Sequence, residues 1–218
     1  MEWLIHAWDV LTNLDKYLTT WSGQFGNWFY AIMFAVVFAE TGLVIMPFLP
    51  GDSLLFALGI LAAQQGATID VWIMGSLLMA AALAGDNVNY WVGRRLGPKV
   101  FASTSSRLLN KDHLVKAQTF YETHGAKTIV IARFIAIIRT FAPFVAGIGR
   151  MDYRRFIGYS VFGAILWVWS FLLTGYWLGN QPWVQENFSA IVWGIMGFTI
   201  VLGAYEAIKS KRAKKKAE

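Results

Sequence analysis

The sequence predicts an all-α polytopic membrane protein: an inverted repeat of two re-entrant helical hairpins, each followed by a transmembrane helix, with a C-terminal transmembrane helix and amphipathic surface helices added. Three observations predict this class. The 218-residue chain is 56% hydrophobic and only 15% charged, with a mean hydropathy of +0.47, above that of ordinary soluble domains. Its lysines and arginines fall in clusters separated by long apolar runs. Two Pro-containing stretches, Phe48-Leu49-Pro50 and Phe141-Ala142-Pro143, stand 93 residues apart, and the same offset sets Glu40 against Arg133, opposite charges at corresponding positions.

Residues 1–26 form an N-terminal segment in which Leu4, Trp8, Leu11 and Leu18 share a helical face away from Asp9 and Lys16. That pattern predicts an amphipathic helix, lying in the membrane interface or capping the bundle. A single membrane domain is expected over residues 27–208. Its apolar runs are Asn27 to Met46, Leu54 to Ala63, Val71 to Val92, Thr128 to Ile148, Phe156 to Leu178 and Phe188 to Ile208. A helix needs ~20 residues to cross a bilayer core, so some of these can span and some are too short. Repeat 1 covers residues 27–97 and repeat 2 residues 128–179, joined by a linker over 98–127; the last transmembrane helix covers 188–208 and a basic tail 209–218.

Charge fixes the expected topology. Of 19 Lys and Arg residues, six lie between Lys209 and Lys216, seven between Arg94 and Lys127, and three at Arg150, Arg154 and Arg155. The connections Gln64 to Asp70 and Asn180 to Asn187 contain none, so the positive-inside rule places them outside and the basic clusters, with the C-terminus, in the cytoplasm. Thr128 to Ile148 then has cytoplasmic flanks at both ends. Twenty-one residues cannot cross twice, so this segment is predicted to enter and return as a re-entrant hairpin bent at Pro143. Pro47, Pro50 and Gly51 are the corresponding bend of the first hairpin. Lys111 to His124, with Leu114, Phe120 and Tyr121 among charges, reads as a cytoplasmic surface helix. The signatures Gly93-Arg94-Arg95-Leu96-Gly97 and Gly175-Tyr176-Trp177-Leu178-Gly179, 82 residues apart, close the helix that follows each hairpin. Copies of opposite orientation place a substrate site near the midplane. The side of the N-terminus stays open.

Glu40, Asp52, Arg133 and Arg139 lie in or beside apolar segments, where each charge costs ~2.5 to 3.5 kcal/mol on insertion scales. Their formal charges sum to zero, which predicts that the hairpins meet and that acids pair with arginines. Such pairs serve either to fix helix packing or to line a transport pathway, and intramembrane ionisable residues usually mark pathways. Asp86 and Asn89, in Ala84-Gly85-Asp86-Asn87-Val88-Asn89-Tyr90, either extend a polar cavity or satisfy broken backbone groups.

Other chemistries find little support. The chain has no cysteine, and His6, His113 and His124 lack the spacing of a helical metal pair, so neither a metal site nor a cofactor is expected. Gly51-Asp52-Ser53-Leu54 spells an esterase motif, but no Asp-x-x-His follows and the context is membranous, so Ser53 is read as helping to cap a returning half-helix rather than as a nucleophile. No catalytic residues and no enzymatic activity are expected. The basic tail directly follows a membrane helix, which points to topology and anionic lipid rather than nucleic acid.

The stretches FAETGLVIMPFLPGDSLLFALG (Phe38 to Gly59), GDNVNYWVGRRLG (Gly85 to Gly97) and ARFIAIIRTFAPFVAGIGRM (Ala132 to Met151) resemble those of the DedA family of bacterial inner-membrane proteins, over nearly the whole chain except the tail. The resemblance implies the fold shared with the VTT-domain lipid scramblases. It also implies a flippase- or scramblase-like role in membrane lipid transport, with undecaprenyl phosphate recycled by some members and dependence on the proton motive force. The family's functional acids match Glu40 and Asp52, and its functional arginines match Arg133 and Arg139. The partners implied are membrane lipids, undecaprenyl phosphate or an anionic phospholipid, and protons.

On this reading Arg133 and Arg139 hold a lipid phosphate through charge-assisted hydrogen bonds, aided by half-helix N-termini. Glu40 and Asp52 pair with them when the site is empty. A displaced carboxylate then takes up a proton, because burial without a cationic partner favours its neutral form. The alternatives are a proton-coupled small-ion or drug antiporter and a membrane-homeostasis scaffold.

Overall fold

The computed structural model describes residues 14–42, 51–102 and 127–188, together with 125, 190, 191, 193–195, 197 and 201. Residues 1–13, Pro47 and Pro50, nearly all of the linker, most of the last helix and the basic tail lie outside the described residues. Eight helices are described: α1 (Leu14–Phe25), α2 (Trp28–Gly42), α3 (Gly51–Ala63), α4 (Val71–Ala102), α5 (Lys127–Ala132), α6 (Ala136–Ile148), α7 (Tyr153–Leu178) and α8 (Pro182–Glu186). Every position described between Phe188 and Val201 is also helical.

Among the described residues two helices are long and apolar enough to cross a membrane, Val71–Leu96 within α4 and Tyr153–Leu178, the whole of α7. Each stretch has 26 residues, about 39 Å of helix against a hydrocarbon core of about 30 Å. Both begin on an aspartate cap. Asp70 Oδ1 accepts from the backbone N–H groups of Trp72 (2.8 Å) and Ile73 (2.9 Å), and Asp152 Oδ1 accepts from that of Arg155 (3.1 Å), satisfying donors left open at the first turn. α2, α3 and α6, of 15, 13 and 13 residues, are too short to cross alone. α3 is buried from Gly51 to Leu61, as a helix apolar all round must be. Trp28, Trp72, Trp177 and Trp183 are exposed where α2 and α4 begin and α7 ends, beside the connections that lack basic residues. This is the place of an interfacial aromatic belt.

The packing follows an exchange. α3 packs along α7, and α6 packs along α4, so the second short helix of each half lies against the long helix of the other. α2 meanwhile packs on α4, and α5 on α7, each within its own half. The two exchanged crossings are built alike. A methyl group on Gly59 of α3 would run into the carbonyl of Leu172, and one on Gly175 of α7 into the carbonyl of Phe56. At the other crossing a methyl group on Gly147 of α6 would run into the carbonyl of Tyr90, and one on Gly93 of α4 into that of Phe144. Backbone meets backbone at both places, which only glycine permits. These contacts align Phe56-Ala57-Leu58-Gly59-Ile60 with Phe144-Val145-Ala146-Gly147-Ile148, an offset of 88, while Glu40 and Arg133 stand at an offset of 93.

One expectation changes. The chain does not bend back at Pro143, which lies inside α6. It turns at Arg133–Ile135, where α5 tightens into successive i to i−3 bonds (Arg133 N–H to Val130 O, 3.2 Å; Phe134 N–H to Ile131 O, 3.2 Å; Ile135 N–H to Ala132 O, 3.1 Å). Ile135 then takes an extended conformation, φ −122° and ψ 104°. A short helix of β-branched Thr128, Ile129, Val130 and Ile131 has weak propensity to continue, and the turn releases Arg133 and Arg139 to different partners. Pro143 is accommodated because α6 is held along its length by α4.

The crossings give a stability test. Gly59→Ala and Gly93→Ala should each destabilise the detergent-solubilised protein by about 1 to 3 kcal/mol through overpacking. Gly158→Ala, where nothing lies within 4 Å of the added carbon, should leave the melting temperature unchanged or raise it slightly. Thermal unfolding curves of the three variants decide.

Candidate functional site

Among the described residues five Asp, Glu and Arg side chains are buried between these helices, Glu40, Asp52, Asp86, Arg133 and Arg139. They fall into two neighbouring centres along α7. At the first, Arg139 of α6 donates from Nη2 to Glu40 Oε1 of α2 and from Nη1 to Asp52 Oδ1 of α3, at 2.8 Å. Its guanidinium lies over the indole of Trp167 on α7, 4.5 Å from the ring centroid. Trp167 Nε1 donates to the same Asp52 oxygen at 2.7 Å. Four helices therefore meet on one cation. A desolvated cation over an indole contributes about 2 kcal/mol, and the two carboxylates satisfy the forked donors that burial would otherwise strand.

Local backbone explains how Glu40 fits. It sits in the last turn of α2, against Gly51 at the N-terminus of α3, where any Cβ would overlap the carboxylate. The positive end of α3 thus faces an acid. Glu40 Oε2 and Arg139 Nε have no hydrogen-bond partner among the described residues.

At the second centre Arg133, in the turn between α5 and α6, donates from Nη2 to Asp86 Oδ2 of α4 and, at 3.3 Å, to Ser160 Oγ of α7. Ser160 Oγ in turn donates to Asp86 Oδ2. Gly163, one turn along α7, leaves room beside the guanidinium, since a Cβ there would lie 3.1 Å from Arg133 Cδ and 3.2 Å from Nε. Arg133 is 2% exposed, yet its Nε and Nη1 have no partner among the described residues. A buried guanidinium with two idle donors is an anion site in waiting.

Asp86 and Asn89 answer the two alternatives differently. Asp86 is the counter-ion of Arg133. Asn89 serves broken backbone: its Nδ2 donates to the carbonyl of Thr41 in the last turn of α2 (2.6 Å) and to that of Thr140 in α6 (3.3 Å). The four charges singled out by sequence are all buried, but they do not form one neutral quartet. Both acids go to Arg139, and Arg133 takes Asp86. The five together carry three carboxylates against two guanidinium groups.

Sequence reasoning passed over Ser160 and Trp167. They are seven residues apart on α7, hence on one face and about 10 Å apart along its axis, which is what places the two arginine centres side by side. Their signal is weak: serine and tryptophan are ordinary in membrane helices, and tryptophan there is usually an interface anchor. Only the spacing against buried Gly163 and Ala164 distinguishes them. Among the described residues no group of three or more His, Asp or Glu side chains is placed to hold a metal ion.

Known sequences place this chain in a family. A model of the VTT domain matches residues 49–177. Protein DedA of Escherichia coli (strain K12) is 45% identical over 217 residues, 100% of this chain and 99% of that protein. An uncharacterised membrane protein of Mycobacterium leprae (strain TN) is 36% identical over 91% of this chain and 90% of its own length. Inner membrane protein YqjA of Escherichia coli (strain K12) is 35% identical over 70% of this chain and 69% of its own. No solved structure matches. With the domain match covering more than half of this chain and a relative aligned from end to end, the chain belongs to the DedA family of VTT-domain membrane proteins.

Proposed function

We propose that this protein moves a phosphate-bearing lipid across a bacterial inner membrane and couples the movement to protons. The observation that carries the reading is Arg133: a buried cation with two unpartnered donors, beside a second arginine held by two acids. Keeping five charges in an apolar bundle costs stability, and buried ion pairs seldom repay that cost relative to apolar packing. Retaining them suits a pathway better than a brace. A phosphate head matches Arg133 by charge and by fork geometry, and a lipid tail can stay in the bilayer beside the helices. Undecaprenyl phosphate is the first candidate, an anionic phospholipid the second. The activity is transport rather than catalysis.

The transport cycle we envisage rests on the inverted repeat. Two halves, α2–α4 and α5–α7, act as re-entrant hairpins each followed by a spanning helix, and rocking of one half against the other exposes the charged centres to alternate sides. The exchanged packing of α3 on α7 and α6 on α4, with matched glycine crossings and cap aspartates, supports this reading. The C-terminus is cytoplasmic on the same scheme.

Proteoliposomes containing undecaprenyl phosphate test it. Wild type should translocate the lipid, faster with an imposed pH gradient, and Arg133→Ala should not, although it inserts normally. Equal movement by both variants would remove the phosphate role; movement of small cations without any lipid dependence would favour antiport. Arg133→Lys keeps the charge and loses the fork, so its rate should fall at least tenfold. Trp167→Phe keeps a ring face under Arg139 and loses the hydrogen bond to Asp52; binding of lipid phosphate should persist while transport slows several-fold.

A further inference from the structure

The two arginines are not equivalent, and the difference assigns a role to Asp86. A guanidinium offers an oxyanion two forks, one from Nη1 with Nη2 and one from Nε with Nη2. Nη2 belongs to both. It carries two N–H groups, one in each fork, and on Arg133 it already donates to two acceptors, Asp86 Oδ2 and Ser160 Oγ, while Nε and Nη1 stand idle. Nε and Nη1 point apart and cannot grip one phosphate as a fork. A phosphate can therefore grip Arg133 as a fork only by taking Nη2 from one of these two acceptors, and Asp86 is the one that a proton can release.

We propose that Asp86 is the exchangeable counter-ion of the phosphate site: it holds Arg133 Nη2 when the site is empty, yields that nitrogen to the phosphate, and takes up a proton as it does so. The inference rests on the phosphate reading given above. The groups facing Asp86 are Arg133 from the α5–α6 turn, Ser160 from α7 and, at longer range, Arg139 from α6. Glu40 of α2 and Asp52 of α3 are engaged by Arg139. Once the phosphate neutralises Arg133, Asp86 keeps only the hydroxyl of Ser160 close by. A buried carboxylate in that position is far more stable protonated, and Ser160 Oγ can then turn from donor to acceptor for the new O–H. The balance is simple: one proton bound for each phosphate bound, with no covalent bond made or broken. Arg139, with both terminal nitrogens committed to acids and its face covered by Trp167, keeps only Nε unpartnered and offers a phosphate no free terminal nitrogen.

The ligand chemistry is a phosphate monoester, on a lipid or free. The probe is dodecyl phosphate, titrated into the full chain in lipid nanodiscs from pH 6 to 9, for wild type, Asp86→Asn and Arg133→Ala. Wild-type affinity should fall with pH more steeply than that of Asp86→Asn, the two slopes differing by up to tenfold per pH unit, and Asp86→Asn should bind at least tenfold tighter at pH 8. Comparing slopes on one ligand cancels the titration of the phosphate itself. Equal slopes, or a loss of affinity in Asp86→Asn as large as in Arg133→Ala, would overturn the exchange role and leave the phosphate reading standing. Unchanged binding by Arg133→Ala would overturn both. Should Asp86→Asn fail to fold, calorimetry of wild type with phosphatidylglycerol, a phosphodiester that does not titrate here, in two buffers of different ionisation enthalpy gives the proton count directly. About one proton taken up supports the exchange, and none contradicts it. Inorganic phosphate competing as well as dodecyl phosphate would assign the site to free phosphate and overturn the lipid source.

Discussion

A guanidinium removed from water must find carboxylates, and in this protein the carboxylates that Arg139 finds come from helices far apart in sequence. Glu40 ends α2, Asp52 opens α3, and Trp167 of α7 closes over the cation. These contacts cannot form unless α2, α3, α6 and α7 meet, so the electrostatic requirement and the packing are the same constraint. Glycine crossings then bring α3 onto α7 and α6 onto α4 closely enough for these side chains to reach. Removing one partner of such a buried set typically costs about 3 to 5 kcal/mol, because the charge left behind has nowhere to go.

The second centre uses the same physics with one partner fewer. Arg133 has a single carboxylate where Arg139 has two, and the unspent donors sit in a place where unspent donors are expensive. This asymmetry divides labour within one bundle. On the proposed reading Arg139, held by two acids, couples the helices that meet on it as they move, and Arg133 takes the anion. A site that was fully satisfied in the empty protein would have no reason to bind.

Much of this was legible in the sequence because charge is conspicuous in apolar surroundings. Glu40, Asp52, Arg133 and Arg139 stood out for that reason alone, and the distribution of lysine and arginine divided the chain into two comparable halves. Asp86 was visible but ambiguous, since it sits in a polar patch with two asparagines and its partner is 47 residues away. Ser160 and Trp167 carried no signal because their types are common in membrane helices and only their register on α7 matters. The turn at Arg133–Ile135 was hidden behind Pro143. Proline is the stronger local breaker, but α6 is held by α4 on either side of it, whereas the β-branched α5 is only 6 residues long. Two offsets coexist for a related reason: the chain from Glu40 to Gly51 is longer than that from Arg133 to Arg139, so the first and second arms of the hairpins align differently.

On the proposed function these buried charges serve transport and not folding. The most direct test replaces the Arg139 centre as a whole, Glu40→Gln, Asp52→Asn and Arg139→Met in one chain, and measures thermal stability and lipid movement on the same preparation. The account predicts a protein that inserts and melts at or above the wild-type temperature, since apolar or neutral isosteres are often as stable as a buried ion set, and that no longer moves lipid phosphate. Wild-type transport by the neutral variant would contradict it and make the charges a structural brace.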